Sequence, residues 1–260
     1  GLTEKDQVDR SEAELDFWRK ELNPAQLEAV CHTEGPLLIL AGAGSGKTRV
    51  LTYRIAKLLQ SGVSPYHILA VTFTNKAAQE MKERVAKLIG PVAEGIWVAT
   101  FHATCARILR MDGELIGLDR NFVIYDTQDQ MIVVREAMRE LNLSENSFNP
   151  RGVLGTISKA KNELIGPKEF EQQAADFWSE VVRKVYPLYQ RKLAQNAALD
   201  FDDLIMLTIR LFREFPEVLA KFQERFKYIL VDEYQDTNHA QYTFINLLAE
   251  KERNLCVVGD

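Results

Sequence analysis

Short runs of consecutive apolar residues recur along the chain, and they are typical of strands buried on both faces of a parallel sheet. Helical patterns separate the first three runs, so the order of elements predicts an α/β domain with a parallel sheet flanked by helices. The five runs are Leu37 to Leu40, Ile68 to Phe73, Ile96 to Thr100, Tyr228 to Val231 and Leu255 to Val258, and the helical patterns are Lys47 to Gln60 and Lys76 to Ile89.

The central part of the chain has a different pattern. Between about Met111 and Leu199 no comparable strand is found, and the apolar spacing is helical, as in residues 127–141 and 177–194. Because the strand pattern resumes at Tyr228, the α/β domain is predicted to be discontinuous, with an inserted all-helical subdomain. The predicted limits are 1–20 for an N-terminal extension, 21–110 and 199–260 for the α/β domain, and 111–198 for the insertion.

Composition and charge limit the possible functions. The formal net charge is -5 at pH 7, so the whole molecule lacks the positive field of many nucleic-acid binders, and any DNA contact must be local. The apolar runs are far shorter than the roughly 20 residues that cross a bilayer. Cys31, Cys105 and Cys256 are isolated in sequence, which is typical of buried reduced thiols. We therefore expect a cytoplasmic protein with no membrane partner.

A glycine-rich segment follows the first predicted strand and precedes a helical pattern. Glycines let backbone N–H groups converge on phosphate oxygens at a helix N-terminus, where Lys47 would contact the outer phosphates and the Thr48 hydroxyl would bind Mg²⁺. Ala41 stands where the strict pattern has glycine. The alternative is a glycine-rich turn without a nucleotide. The predicted phosphate-binding residues are Gly42, Ala43, Gly44, Ser45, Gly46, Lys47 and Thr48.

Two adjacent acidic residues follow the fourth predicted strand. Asp232 and Glu233 would lie at its carboxyl end, where ligands bind in open α/β sheets. Asp232 is predicted to bind Mg²⁺, and Glu233 to orient and deprotonate an attacking water. The alternative is a pair of solvated turn residues. Together with the phosphate loop, the pair predicts a catalytic site formed by Lys47, Asp232 and Glu233.

Six motifs occur in the order that is seen in superfamily 1A DNA helicases, and the chain resembles the UvrD, PcrA and Rep group of that family. The resemblance implies a RecA-like P-loop NTPase domain with an inserted helical subdomain, called 1B, and the use of ATP with Mg²⁺. The motifs are Leu22 to Gln26, Ala41 to Thr48, Thr72 to Ala78, Thr100 to His102, Asp200 to Leu204 and Asp232 to Thr237.

The resemblance assigns two further residues to the nucleotide. It implies that Gln26 reads the adenine edge and that Arg49 lies beside the nucleotide. A Gln amide can donate and accept a hydrogen bond at once, as the adenine edge requires. Without the resemblance, Gln26 after Pro24 would be interpreted as a helix-surface residue.

The resemblance also assigns a set of residues to single-stranded DNA, namely Phe73, Thr74, Asn75, His102 and Phe201. Aromatic rings offer stacking faces worth roughly 1 to 3 kcal/mol per base, and hydroxyl and amide groups can bind phosphates. A few such contacts can outweigh an unfavourable net charge. Alternatives stay open, because Phe73 could equally be a core residue and His102 an ordinary residue at a helix start.

Two lysines of the insertion and one aspartate have other candidate roles. Because the family's 1B subdomain approaches duplex DNA, Lys159 and Lys161 in the insertion are candidate contacts at a junction of single-stranded and duplex DNA. The alternative is that both charges are simply solvated. Asp200 could cap the helix that begins near Phe201.

The function implied by the resemblance is an ATP-dependent single-stranded DNA translocase and DNA helicase, with DNA repair as an expected role. The last strand ends at Gly259-Asp260, and we expect a second motor domain of the same protein, with transition-state arginines, to be missing from this chain. Because such arginines contribute about 10³ to 10⁵ in rate, the chain alone should turn over little ATP. The alternatives are the motor of a helicase-nuclease and a nucleotide- or DNA-binding module without unwinding activity.

Overall fold

The computed structural model describes residue 3, residues 22–40 and residues 46–259. The chain forms two compact units, one comprising residues 1–99, 224–235 and 251–260, the other 100–223 and 236–250. Both units are discontinuous in sequence. The first boundary falls after residue 99, whereas the predicted limit is residue 110, and the functional division into domains stays a prediction.

Helices and strands of the described residues are numbered in chain order. The strands are β1 (Leu37–Leu40), β2 (Ile68–Thr72), β3 (Trp97–Thr100), β4 (Val123–Ile124), β5 (Ala198–Leu199), β6 (Tyr228–Val231) and β7 (Leu255–Gly259). The helices are α1 (Pro24–Cys31), α2 (Lys47–Gln60), α3 (Asn75–Ile89), α4 (Phe101–Asp112), α5 (Thr127–Glu140), α6 (Pro150–Asn162), α7 (Pro167–Gln173), α8 (Phe177–Gln195), α9 (Phe201–Glu214), α10 (Pro216–Arg225) and α11 (His239–Ala249).

The first unit is built on a five-stranded sheet with the order β1-β7-β6-β2-β3. The pairs β1–β7, β7–β6 and β6–β2 are parallel, with Leu38 opposite Val257 and Leu230 opposite Cys256. All five residues of β2 are buried, which explains why its sequence is continuously apolar. The predicted α/β fold is therefore confirmed.

Helices α2 and α3 cover the sheet of the first unit. Leu51 and Ile55 of α2 pack with Met81 and Val85 of α3 in the same core cluster as the buried strand residues. Each helix places apolar residues three or four positions apart, so that they share one face. Removal of this apolar surface from water is the main stabilising contribution to the unit.

The second unit is mainly helical. Its core cluster contains Val134 of α5, Ile157 of α6 and Val185 of α8, all with no exposed surface. One difference from the prediction is the short parallel pair of β4 with β5. Each strand has two residues, and Val123 and Ile124 of β4 are exposed, so the sequence carries no apolar run that could predict the pair.

The cysteines do not share one environment. Cys105 and Cys256 are buried, as predicted, but the expectation is wrong for Cys31, which is exposed. Cys31 is the last residue of the short helix α1, which buries Val30 instead. None of the helices in the described ranges combines the length and the apolar character that crossing a bilayer requires.

Candidate functional site

The carboxyl ends of the parallel strands define one edge of the sheet in the first unit. Strand β6 lies between β7 and β2, and β7 pairs with β1. The carboxyl ends of β1, β6 and β7 therefore lie side by side, with Gly259 at the end of β7 and Asp232 directly after β6. Such an edge is where open α/β sheets bind ligands.

The predicted phosphate loop lies only in part within the described residues. Gly42, Ala43, Gly44 and Ser45 lie outside them, and for Lys47 the structure describes the backbone, as the first residue of α2. Gly46 has a φ of 77°, in the left-handed region that glycine tolerates best. The half-buried Thr48 follows on the first turn of α2, and Arg49 next to it is exposed. The sequence of strand, glycine-rich segment and helix is the context that the prediction requires.

Gln26 is next to the end of the phosphate loop. A Cβ atom added to Gly46 would lie 3.6 Å from Nε2 of Gln26 and 3.8 Å from Cβ of Arg49. Gln26 also completes a capping box, because its Oε1 accepts a hydrogen bond from the Asn23 N–H at 3.0 Å and its own N–H donates to Asn23 Oδ1 at 2.8 Å. The capping box fixes the side chain with its amide nitrogen near Gly46. The contact of Gln26 with adenine stays a prediction.

The acidic pair adopts an unusual backbone conformation at the end of β6. Asp232 is only 6% exposed, and its N–H donates to the Val71 carbonyl at 3.2 Å. Glu233 has a φ of 52° and donates its N–H to Asp232 Oδ1 at 2.9 Å. A residue with a side chain is uncommon in this region, and functional sites are one place where such a conformation is found. The turn therefore places both carboxyl groups at the sheet edge.

Gln235 holds the Glu233 side chain, a contact that the sequence analysis missed. Its Nε2 donates to Glu233 Oε2 at 2.6 Å. The carboxamide lies close to Gly259, where an added Cβ would be 2.7 Å from Gln235 Oε1 and 3.3 Å from its backbone nitrogen. The available signal was a glycine at the end of a buried strand, which often marks a close approach of other atoms.

The predicted DNA-binding residues of the first unit follow β2. Phe73 is half-buried, whereas Thr74 and Asn75 are exposed. Thr74 is the N-cap of α3, and its hydroxyl accepts a hydrogen bond from the Ala77 N–H at 3.1 Å. A hydroxyl that accepts in this way still has a proton to donate. The segment therefore presents polar groups at the same edge of the sheet as the acidic pair.

The other two predicted DNA-binding residues, His102 and Phe201, belong to the second unit and contact each other. Their rings meet edge to face with centroids 5.7 Å apart. Phe201 is 48% exposed, whereas burial of the half-buried His102 lowers its pKa. The imidazole is therefore neutral near pH 7. The two rings form one aromatic surface, which we call the aromatic pair.

Lys161 is not available to DNA, so its prediction as a DNA contact is wrong. Its side chain has no exposed surface, and Nζ lies 2.6 Å from Asp200 Oδ2 and 2.8 Å from Asp203 Oδ1. Lys159 on the same helix is exposed and stays a predicted contact. The alternative interpretation of Asp200 is confirmed, because it caps α9.

Comparison with known proteins identifies similar sequences. The model of the family described as UvrD/REP helicase N-terminal domain matches residues 22–260. Two proteins named ATP-dependent DNA helicase PcrA, from Bacillus subtilis (strain 168) and Staphylococcus aureus (strain Mu50 / ATCC 700699), are each 59% identical to the chain over 240 residues. These alignments cover 92% of the chain and 32% and 33% of the relatives, respectively. The chain therefore spans about a third of the length of these relatives.

Proposed function

The chain belongs to the UvrD/REP helicase N-terminal domain family, and we propose that the full-length protein is an ATP-dependent helicase that moves along single-stranded DNA. The resemblance predicted from the sequence motifs is thereby confirmed. The observation that carries the proposal is the strained turn of Asp232 and Glu233 at the carboxyl end of β6. In the same sheet, β1 leads through the glycine-rich segment to the N-terminus of α2.

We propose that ATP binds with its phosphates at the N-terminus of α2. Backbone N–H groups and the helix dipole favour anions there, and Lys47 would neutralise the outer phosphates. Gln26 would hydrogen-bond adenine, and Arg49 would lie beside the nucleotide. The position of the Gln26 amide near Gly46 supports this arrangement.

Mg²⁺ would be held by Thr48 and Asp232. Their oxygen atoms are the donors that Mg²⁺ prefers, and in nucleotide sites the ion commonly takes only one or two protein ligands besides phosphate oxygens. Within the described part of the chain, no group of three or more His, Cys, Asp or Glu side chains could hold a metal ion. Two oxygen donors from the protein suit a cation that is shared with the nucleotide. When bound, Mg²⁺ neutralises charge that develops on the phosphates.

Glu233 would act as the general base in hydrolysis. Its carboxylate would orient water for attack on the γ-phosphate and accept a proton from it. The hydrogen bond from Gln235 to Oε2 restricts the orientation of the carboxylate. Phosphoryl transfer depends mainly on positioning and charge neutralisation, so a fixed carboxylate is what the reaction needs.

Single-stranded DNA would bind through local contacts. We propose that bases stack on the aromatic pair and on Phe73, and that Thr74 and Asn75 contact the backbone. The exposed Phe201 ring supports this role most directly. The exposed Lys159 would contact a junction with duplex DNA.

Because the chain spans about a third of the length of its relatives, we expect a second motor domain with transition-state arginines in the full-length protein.

The helicase is favoured over the motor of a helicase-nuclease, because the similar proteins are named ATP-dependent DNA helicases. A binding module without unwinding activity is distinguished by experiment. A role in DNA repair and a cytoplasmic location stay predictions from the sequence.

The proposal is tested by ATP hydrolysis in the full-length protein with Mg²⁺. We expect single-stranded DNA to stimulate hydrolysis, and Lys47→Ala and Glu233→Gln each to lower kcat by about a hundredfold or more. Glu252→Gln, which changes an exposed carboxylate of the same unit, is the matched control and should keep full activity. Unchanged turnover in both site variants would refute the assignment, and ATP hydrolysis without strand separation would favour a translocase or module that does not unwind.

A further inference from the structure

A buried ionic network occupies the centre of the helical unit. Lys161 of α6 lies between Asp200 and Asp203 at the start of α9, and none of the three side chains is more than 3% exposed. Burial alone would lower the pKa of Lys161, but the two carboxylates outweigh burial and raise it. A buried charge of this kind is retained only where partners compensate it.

The network uses every carboxylate oxygen of the two aspartates. Asp200 Oδ1 accepts the Asp203 N–H at 2.8 Å, and Asp203 Oδ2 accepts the Asp200 N–H at 3.2 Å, which together form the capping box of α9. The remaining oxygen of each residue contacts Lys161 Nζ. The helix cap and the ion pairs are therefore one structure, and Lys161 fixes the first turn of α9 to α6.

A third helix contributes to the same network. The Tyr189 hydroxyl of α8 donates to Asp200 Oδ2 at 2.8 Å and accepts from Gln130 Nε2 of α5 at 3.2 Å. Burial would raise the pKa of Asp200, but Lys161 and Tyr189 outweigh burial and lower it. The start of α9 is thus connected to α5, α6 and α8.

The residue that follows the cap is Phe201, the first residue of α9. Its ring is 48% exposed and contacts His102 of α4 edge to face. The direction in which the ring leaves the helix depends on the backbone of the first turn, which the capping box and Lys161 fix. Movement of this turn would displace the ring from His102.

We propose that Lys161 is a positioning residue for single-stranded DNA, holding the aromatic pair in its stacking geometry through Asp200 and Asp203. The inference rests on the proposed function. Lys161 touches no DNA, because its ammonium group is enclosed by protein. Buried ion pairs contribute little net stability compared with apolar replacements, and their best-attested use is to fix one geometry among several.

The test is a double-mutant cycle on single-stranded DNA binding. The affinity of the full-length protein for a fluorescent oligothymidylate is measured by anisotropy for the unmodified protein, Lys161→Met, Phe201→Ala and the double variant. Loss of one stacked base should weaken binding roughly fivefold to a hundredfold. We expect Lys161→Met to lose a comparable factor, and the double variant to bind no worse than Phe201→Ala alone.

Two further variants separate positioning from folding and from charge. The triple variant combines Lys161→Met with Asp200→Asn and Asp203→Asn. It keeps capping side chains, leaves no unpaired buried charge and removes the connection to α6. We expect this variant to remain folded and to bind as weakly as Lys161→Met. Lys184→Met removes the same charge at an exposed lysine of α8, and this variant should bind single-stranded DNA normally. Because Lys161 contacts no phosphate, its loss should leave the salt dependence of binding unchanged.

Wild-type affinity in the triple variant would overturn the inference. Multiplicative losses in the double variant would also do so, because they would mean that Lys161 and Phe201 act independently. If the unmodified protein binds no single-stranded DNA, the proposed function fails instead. The two failures are therefore distinguishable.

Discussion

At the scale of single residues, the acidic pair of the first unit and the buried charges of the second unit carry the two proposals. Asp232 and Glu233 are adjacent, and a strand followed by two acids predicts their location. Lys161 is 39 residues from Asp200, and no local pattern indicates that the two charges are buried together. A lysine on a helix is usually solvated, and only the partners across the fold make the exception possible.

The first prediction concerns Gly259. In Gly259→Ala the new methyl group would lie 2.7 Å from Gln235 Oε1, so the carboxamide must shift, and we expect its hydrogen bond to Glu233 to weaken. We expect ATP hydrolysis in the full-length protein to fall by about tenfold or more, because the base is no longer held. Steady-state kinetics at saturating ATP measure the effect. A Gly259→Ala variant with wild-type kcat would mean that Gln235 does not position Glu233.

At the scale of elements, the five strands of the large sheet and the four helices with predicted limits, α2, α3, α5 and α8, were predicted within one or two residues at each end. Continuous apolar runs indicate buried strands, and helix patterns carry N-cap residues such as Asn238 and Asp126 that mark their starts. The pair β4–β5 was missed because each strand has only two residues, too few to produce an apolar run. Element boundaries depend on local chemistry, whereas short pairings depend on tertiary contacts.

The second prediction separates the two roles of Thr74. Thr74→Asp keeps a strong N-cap for α3 but adds a negative charge beside the proposed phosphate contact. We expect the variant to unfold at the same temperature as the unmodified protein, and to bind single-stranded DNA more weakly. Thr74→Ala should instead lose about 1 kcal/mol of stability. Undiminished DNA affinity in Thr74→Asp, measured by anisotropy, would remove Thr74 from the DNA site.

At the scale of the whole molecule, the limits of the two compact units depend on packing between segments that are distant in sequence. The pattern shows where strands stop and resume, yet α4, α9 and α11 join the second unit through packing. The net charge of -5 is consistent with the small number of local DNA contacts that we propose. Of the nucleotide site, the segment Gly42 to Ser45 lies outside the described residues, so its geometry stays a prediction.

The third prediction is the pH dependence of global stability. Burial lowers the pKa of His102 from 6.5, so on acidification the unfolded chain binds a proton at this position before the folded chain does. Below about pH 6.5 the unmodified protein should therefore lose stability relative to His102→Gln, while above it the difference should be constant. Chemical denaturation between pH 5 and 8 measures this difference, and a constant difference throughout would contradict a buried neutral His102.

The central claim is that the edge formed by β1, β6 and β7 binds Mg²⁺-ATP and hydrolyses it through Glu233. The most direct measurement is calorimetric titration of ATP into full-length Glu233→Gln, which should bind nucleotide without consuming it. We expect binding that requires Mg²⁺ and that is lost when Lys47→Ala is added. The absence of any binding heat would contradict the claim. Binding that persists when Lys47 is replaced and Mg²⁺ is removed would also contradict it.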